Sequence, residues 1–258
     1  MKTIILSGGS GYRLKEETEF KPKPLISIGG KPILWHIMKN YASYGFNEFI
    51  IALGYKGDLI KQYFLDQRTL SHNFSIATKS GYMRVLYPGK RRGSPDAFKI
   101  TFVDTGIETL PGERILRLQE YITDDHFMVT YGDQVSDVDI RALVRFHKKQ
   151  NTIGTLTAVH PRSNYGLLRM NDTKRATGFR EKPVLSGWVS GGFMVFQQAF
   201  FSYVRSGEME YRAFERLISK KQLSVHKHKG FWFSIDTYKD IDTMEALWQT
   251  NPPWKTWK

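Results

Sequence analysis

The sequence predicts an α/β fold, a mainly parallel open sheet flanked by helices, with a small β-rich C-terminal lobe. Three observations carry this. Apolar runs bounded by turn residues alternate with segments of helical period through the first 150 residues, as in a sheet built from strand–helix–strand crossovers. From about Thr152 the texture shifts to shorter apolar segments separated by turn-rich pieces. The chain has 258 residues, 41% of them hydrophobic, enough to bury a sizeable core.

The elements follow in order. Thr3 to Leu6 is an apolar first strand. A helix is expected to start at Pro32, whose fixed φ suits a first helical position, to bury Ile33, Ile37, Met38 and Tyr41, and to stop near Gly45. Strand Phe49 to Leu53, helix Asp58 to Phe64, and strands Ile100 to Val103 and Phe127 to Thr130 continue the alternation. A further helix after Asp137 carries Leu143, Val144 and Phe146. Ser80 to Phe98 contains Gly81, Pro88, Gly89, Gly93 and Pro95 and reads as a mobile loop or a long hairpin. Beyond Thr152, strands are expected at Thr155 to His160, Tyr165 to Met170 and Gly191 to Phe196. No Pro/Ser-rich linker and no internal repeat divides the chain, so residues 1–258 are read as one structural unit.

Composition excludes several classes. Without cysteine there is neither a disulfide framework nor a Cys-ligated zinc site. Gly8 and Gly9 interrupt the first apolar run too early for a signal peptide, and no apolar stretch approaches the roughly 20 residues that span a bilayer. A cytoplasmic protein without membrane partners is therefore expected. The net charge of +13 and the run Lys90, Arg91, Arg92 would attract a polyanion. The basic residues are scattered, however, and no zinc-finger spacing or aromatic RNA-binding motif accompanies them, so nucleic acid is not the expected partner. The same charge suits a small anionic substrate.

Candidate chemistry begins after the first strand, in Leu6-Ser7-Gly8-Gly9-Ser10-Gly11-Tyr12-Arg13-Leu14. Glycines admit phosphate oxygens to backbone N–H groups, and Arg13 can add charge-assisted bonds. The same glycines could serve only a tight turn. The segment is not a Walker A loop, and Leu14 stands where a dinucleotide fingerprint needs its last glycine. Asp133 follows an apolar strand and Asp236 ends the run Phe231 to Ile235. Ligands gather at such strand ends, and two carboxylates are a reasonable minimum for Mg²⁺ held against phosphates. Either aspartate alone could equally be a turn or capping acid.

The glycine loop is followed by Lys21-Pro22-Lys23-Pro24-Leu25 and Gly29-Gly30-Lys31-Pro32-Ile33. This order resembles the sugar-1-phosphate nucleotidyltransferase family, and within it the bacterial glucose-1-phosphate cytidylyltransferases. Further matches include Trp35-His36-Ile37-Met38-Lys39, Val103-Asp104-Thr105-Gly106, Thr130-Tyr131-Gly132-Asp133, Phe179-Arg180-Glu181-Lys182-Pro183 and Asp236-Thr237. The resemblance implies a Rossmann-like nucleotidyltransferase fold. It implies joining of CMP from CTP to glucose 1-phosphate, giving CDP-glucose and pyrophosphate. Residues 1–150 would be mainly the nucleotide-binding half and 151–258 mainly the acceptor-binding half with the C-terminal tail. By match, Leu6, Ser7, Gly8, Gly9, Gly11, Tyr12, Arg13, Thr105 and Arg114 would bind nucleotide, with Arg13 and Lys23 as the catalytic cations. Asp133 and Asp236 would hold Mg²⁺, and Glu181, Lys182, Gly191 and Gly192 would bind the acceptor. A homo-oligomer is expected, with the Trp-rich tail packed on its own core or on a neighbouring subunit, and His36 in the core or at a subunit contact.

The match also has gaps. Tyr12 stands in place of a small residue, Gln134 in place of the glycine after the metal-binding aspartate, and Glu113 in place of a glycine beside Arg114. Ser190 replaces an asparagine, Phe233-Ser234 replaces Gln-Pro, and Ser163-Asn164-Tyr165-Gly166 differs from Gly-Arg-Phe-Gly. These gaps leave two alternatives: nucleotidyl transfer to a different phosphorylated or phosphonylated acceptor, or a nucleotide-binding homologue without turnover.

Overall fold

The computed structural model describes residues 1–9, 19–69, 73–86, 96–163 and 165–257. In chain order the strands are β1 (Thr3–Leu6), β2 (Ser27–Ile28), β3 (Lys31–Pro32), β4 (Glu48–Leu53), β5 (Asn73–Ala77), β6 (Tyr82–Leu86), β7 (Lys99–Asp104) and β8 (His126–Tyr131). They continue with β9 (Gln134–Ser136), β10 (Gly154–Val159), β11 (Leu167–Met170), β12 (Ala176–Arg180), β13 (Val189–Gln197), β14 (Leu223–Lys227) and β15 (Trp232–Ser234). The α-helices are α1 (Ile33–Ser43), α2 (Gly57–Thr69), α3 (Pro111–Arg117), α4 (Ile140–Gln150), α5 (Glu210–Ser219) and α6 (Tyr238–Thr250).

Seven strands form one sheet in the order β14-β10-β13-β8-β1-β4-β7. β8, β1, β4 and β7 run parallel, β10 and β14 pair in parallel, and β13 is antiparallel to both of its neighbours, β10 and β8. β1 and the interior of β4 are buried, which explains why Ile4–Leu6 and Phe49–Leu53 are apolar without alternation. Two clusters cover the two faces. One gathers Ile5, Ile37, Met38, Phe49 and Phe193 under α1, and the other gathers Ile4, Ile50, Phe127, Phe196 and Phe214 under α3 and α5.

Three boundaries differ from expectation. Pro32 is the N-cap of α1 (φ −66°, ψ 152°) rather than its first residue, because it also pairs with Ser27 in the small β2–β3 hairpin. α2 runs on to Thr69, since Leu65 to Thr69 contains neither glycine nor proline to stop it. The stretch from Ser80, read as a mobile loop or a long hairpin, belongs to a hairpin that starts earlier, with β5 (Asn73–Ala77) paired to β6; residues 87–95 lie outside the described part.

The change of texture after Thr152 is not a change of sheet. β10, β13 and β14 extend the main sheet, and what stands apart is the β11–β12 hairpin with exposed strands. β15 reaches back to pair with β9, register Ser234 with Gln134, which ties residues 232–234 to the segment after β8. Among the described residues no helix is long and apolar enough to cross a membrane.

The Trp-rich tail folds onto its own chain. Trp254 is 1% exposed, and Trp248, Trp254 and Trp257 surround His36 with ring centroids 4.9 to 6.1 Å away. The His36 Nε2 lies 2.9 Å from the Ile28 carbonyl, and Trp254 Nε1 donates to Nδ1 at 3.3 Å. Nδ1 must then carry a lone pair and Nε2 the proton, so the ring is neutral, and burial pushes its pKa down to about 4. His147, on the buried face of α4, is likewise buried and pushed down to about 4. The unfolded chain binds protons below about pH 6.5 that these folded imidazoles refuse until about pH 4. Stability should therefore fall as pH drops through that window and be constant above it. His36 would contribute about 3 kcal/mol of the loss. Urea midpoints between pH 4.5 and 7.5 check this, and His36→Gln should flatten the slope; an unchanged slope would remove His36 from the account.

Candidate functional site

The C-terminal ends of the parallel strands open into one cleft of about 490 Å³. Its floor is Leu6, Ser7, Gly8 and Gly9 after β1, and Tyr131, Gly132 and Asp133 after β8. One side is Ile107 to Pro111 with Arg114, and the opposite side is Lys23, Pro24 and Asp236. The topology explains the position: β1 lies between β8 and β4, so the loop after β1 meets the loops of both neighbours.

Asp133 and Asp236 meet there although 103 positions separate them in the chain (236 minus 133). The β9–β15 pair brings them together, and the Ile235 N–H donates to the Asp133 carbonyl at 3.0 Å. Neither acid is a helix cap. Thr237 caps α6 in a capping box with Asp240, and Asp139 caps α4. Lys23 Nζ stands between the two carboxylates, donating to Asp133 Oδ2 and to Asp236 Oδ1 at 2.8 Å each. Burial works most strongly against its charge, yet the two carboxylates together outweigh that and hold the Lys23 pKa above the usual lysine range. Ser234 Oγ donates to the other oxygen of Asp236 at 3.0 Å.

Arg114 lines the opposite wall and Thr105 stands behind it, outside the lining; both are buried. Thr105 donates its hydroxyl to the Leu53 carbonyl at 2.6 Å and accepts from Arg114 Nη1 at 2.7 Å. Nη1 also reaches the Leu53 and Gly106 carbonyls, and Nη2 reaches those of Gly8 and Ile107. One guanidinium thus ties the glycine loop to the ends of β4 and β7. Gly8 is obligatory here, because a Cβ would lie 2.1 Å from Arg114 Nη1.

Gly191 and Gly192 are buried in β13. Gly192 has φ +74°, and a Cβ on it would lie 1.7 Å from Gln134 Nε2 and 2.5 Å from Tyr131 Cδ2. Gln134 is 4% exposed, and its Nε2 has no hydrogen-bond partner among the described residues. Glu181 and Lys182 follow β12 and are not part of the cleft wall, though Lys182 is held at φ 43°, a left-handed conformation unfavourable for a residue with a side chain. Gly11, Tyr12 and Arg13 lie outside the described residues.

Sequence reasoning missed the apolar and polar rim from Ile107 to Pro111, and it missed Glu210. Glu210 is buried on α5 and accepts from the Tyr131 hydroxyl at 2.5 Å, bracing a residue of the cleft floor. Burial, then the Glu210 charge, pushes the Tyr131 phenol far above its ordinary value. Tyr131 was visible inside the Thr130–Asp133 motif, whereas nothing near Glu210 in the chain announces its role.

The sequence model of the nucleotidyl transferase family matches residues 2–255. The chain belongs to this family. Among its relatives, the glucose-1-phosphate cytidylyltransferase of Salmonella typhimurium is 40% identical over 263 residues, covering 100% of both chains. Solved structures agree in fold. UDP-glucose pyrophosphorylase complexed with UDP-glucose superposes with a TM-score of 0.68 at 14% identity, over 96% of this chain and 98% of that one. The inositol-1-phosphate CTP transferase from T. maritima gives 0.65 at 14% identity, over 96% of each. In nucleotidyl transferase terms, Asp133, Asp236 and Lys23 form the charged end of the cleft, and the Arg114 clamp forms the other.

The acidic pair fits a divalent ion. It presents hard carboxylate oxygens and already embraces one cation, the Lys23 ammonium. Among the described residues no cluster of three or more His, Asp or Glu side chains exists, so such an ion would complete its coordination with phosphate and water.

Proposed function

We propose that this nucleotidyltransferase joins CMP from CTP to glucose 1-phosphate, forming CDP-glucose and releasing pyrophosphate. The observation that carries the reading is the meeting of Lys23, Asp133 and Asp236 at the mouth of the glycine loop. The full-length likeness to the Salmonella enzyme supports the choice of both substrates.

An oxygen of the acceptor's phosphate attacks the α-phosphorus in line, a new P–O bond forms, and the bond to the β-phosphate breaks. That oxygen is ionised at neutral pH, so no general base is needed and positioning with charge stabilisation does the work. The Ser7–Gly9 backbone cradles the triphosphate, Gly11 and Tyr12 belong to the same glycine motif in sequence, and Arg13 adds charge. Lys23 neutralises phosphate oxygens. Asp133 and Asp236 would hold Mg²⁺, which supplies Lewis-acid neutralisation of phosphate charge when bound. Thr105 and Arg114 hold the nucleotide wall in place, while Glu181, Lys182, Gly191 and Gly192 serve the acceptor. Pyrophosphate release with CTP, UTP, dTTP and GTP, each crossed with several sugar 1-phosphates, tests the reading. No turnover with any pair would favour the non-catalytic alternative.

One observation bears on acceptor choice. Gln134 and Ser234, both departures from the family's pattern, are direct cross-strand neighbours beside Asp133, and Gln134 fills the space over Gly192. A buried carboxamide whose Nε2 has no partner among the described residues penalises apolar groups that pack against it. Gln134→Gly should raise kcat/KM for glucose 1-phosphate by about tenfold and leave the KM for CTP within about twofold. Equal changes for both substrates would place Gln134 outside acceptor discrimination.

A further inference from the structure

Lys23 Nζ occupies the position from which a cation sees both carboxylates, and its two short hydrogen bonds satisfy one oxygen of each. The lysine side chain is 12% exposed, while its two partners keep 34% and 29% of their surface in solvent, which leaves room on the carboxylates for an incoming ion. The backbone beneath the lysine is stiff. Lys23 opens a short 3₁₀ turn with Pro22 before it and Pro24 after it, and Pro22 sits at φ −67°. The ammonium can therefore leave only by rotation of its own side chain.

Charge decides what happens when a divalent ion arrives. Two carboxylates and one ammonium leave a single negative charge, whereas the same set with a divalent ion added would carry a net positive charge at contact distance. Lys23 and the metal then repel each other over oxygens that both require. Ser7 to Gly9 line the same cleft as Lys23, so a phosphate held there would offer the ammonium a new anionic partner.

Resting on the proposed metal-dependent nucleotidyl transfer, we infer that Lys23 is an internal counter-ion for Asp133 and Asp236. A divalent ion displaces it, and the displaced ammonium moves onto the nucleotide phosphates. Before substrate arrives, Lys23 keeps the two acids together and opposes metal binding. Nucleotide gives Lys23 a new anionic partner, so nucleotide and metal should each tighten the other's binding, by the same factor. Lys23 is then the element that couples the two.

The test is Mn²⁺ binding to the full chain, read from the electron paramagnetic resonance signal of free Mn²⁺, with and without a non-hydrolysable CTP analogue. Without nucleotide, Lys23→Met should bind Mn²⁺ about tenfold or more tightly than wild type. Its affinity should also gain less from the analogue than the wild type's does. In EDTA the variant's thermal midpoint should fall, and Mn²⁺ should raise it by more than it raises that of wild type. If Lys23→Met does not fold in EDTA, Lys23→Gln carries the same comparison, since its amide can still donate a hydrogen bond to the acids. Equal or weaker Mn²⁺ affinity in the variant overturns the counter-ion role and leaves the metal site standing. Absence of Mn²⁺ binding in both proteins, with and without the analogue, overturns the metal site and the counter-ion role with it.

Discussion

Asp133→Ala and Asp236→Ala are each expected to lower Mg²⁺-dependent pyrophosphate release by about 10³-fold, because the proposed mechanism rests on holding opposite charge against the reacting phosphates. Stability should barely change. The two side chains are 34% and 29% exposed, and ion pairs with that much solvent contact contribute at most about 1 kcal/mol. Lys23 keeps one partner in either variant. The pattern of large kinetic loss with an unchanged urea midpoint separates a ligand role from a structural one. Near wild-type turnover at limiting Mg²⁺ in either variant would remove that residue from the metal site.

Arg114→Met should behave in the opposite way, with a large loss of stability that brings activity down with it. Arg114 is 4% exposed and serves four carbonyls and the Thr105 hydroxyl; without it the Leu53 and Gly8 carbonyls keep the Thr105 and Tyr55 backbone donors, but the part-buried Gly106 and Ile107 carbonyls lose their side-chain donor and the three segments lose their common tie. Hydrogen bonds from a charged donor contribute about 1.5–3 kcal/mol each, and with solvent replacing part of that at Gly106 and Ile107 a total loss of about 2 kcal/mol or more is expected. Arg114→Lys should recover little, because a single ammonium cannot span acceptors in the glycine loop and at the ends of both β4 and β7. Urea denaturation of the two variants decides this. A midpoint equal to wild type in Arg114→Met would mean that the clamp does not hold the cleft and that Arg114 acts only on nucleotide.

Much of the fold was legible because burial writes itself into composition. Ile4–Leu6 and Phe49–Leu53 are apolar throughout because they are central parallel strands covered on both faces, and Ile33, Ile37, Met38 and Tyr41 recur at helical spacing because α1 covers one of those faces. The strands after Thr152 were harder to place. β10, β13 and β14 look like pieces of a separate lobe in sequence, and only long-range pairing makes them part of the main sheet. Helix ends set by competition, such as Pro32 serving both a cap and a hairpin, also depend on a partner strand that local propensity does not contain.

The candidate site divides along the same line. By itself the sequence determined the strand-end carboxylates, the glycine loop and the order of motifs, since each rests on residues close together in the chain. The tertiary structure alone decided that Lys23 stands between acids 110 and 213 positions away, that Arg114 is consumed by carbonyls of three segments, and that Gln134 lies over Gly192 against Tyr131. The physical reason is that these are contacts between loops at the ends of neighbouring strands. Their distances are set by sheet order and register, quantities that no short stretch of chain encodes.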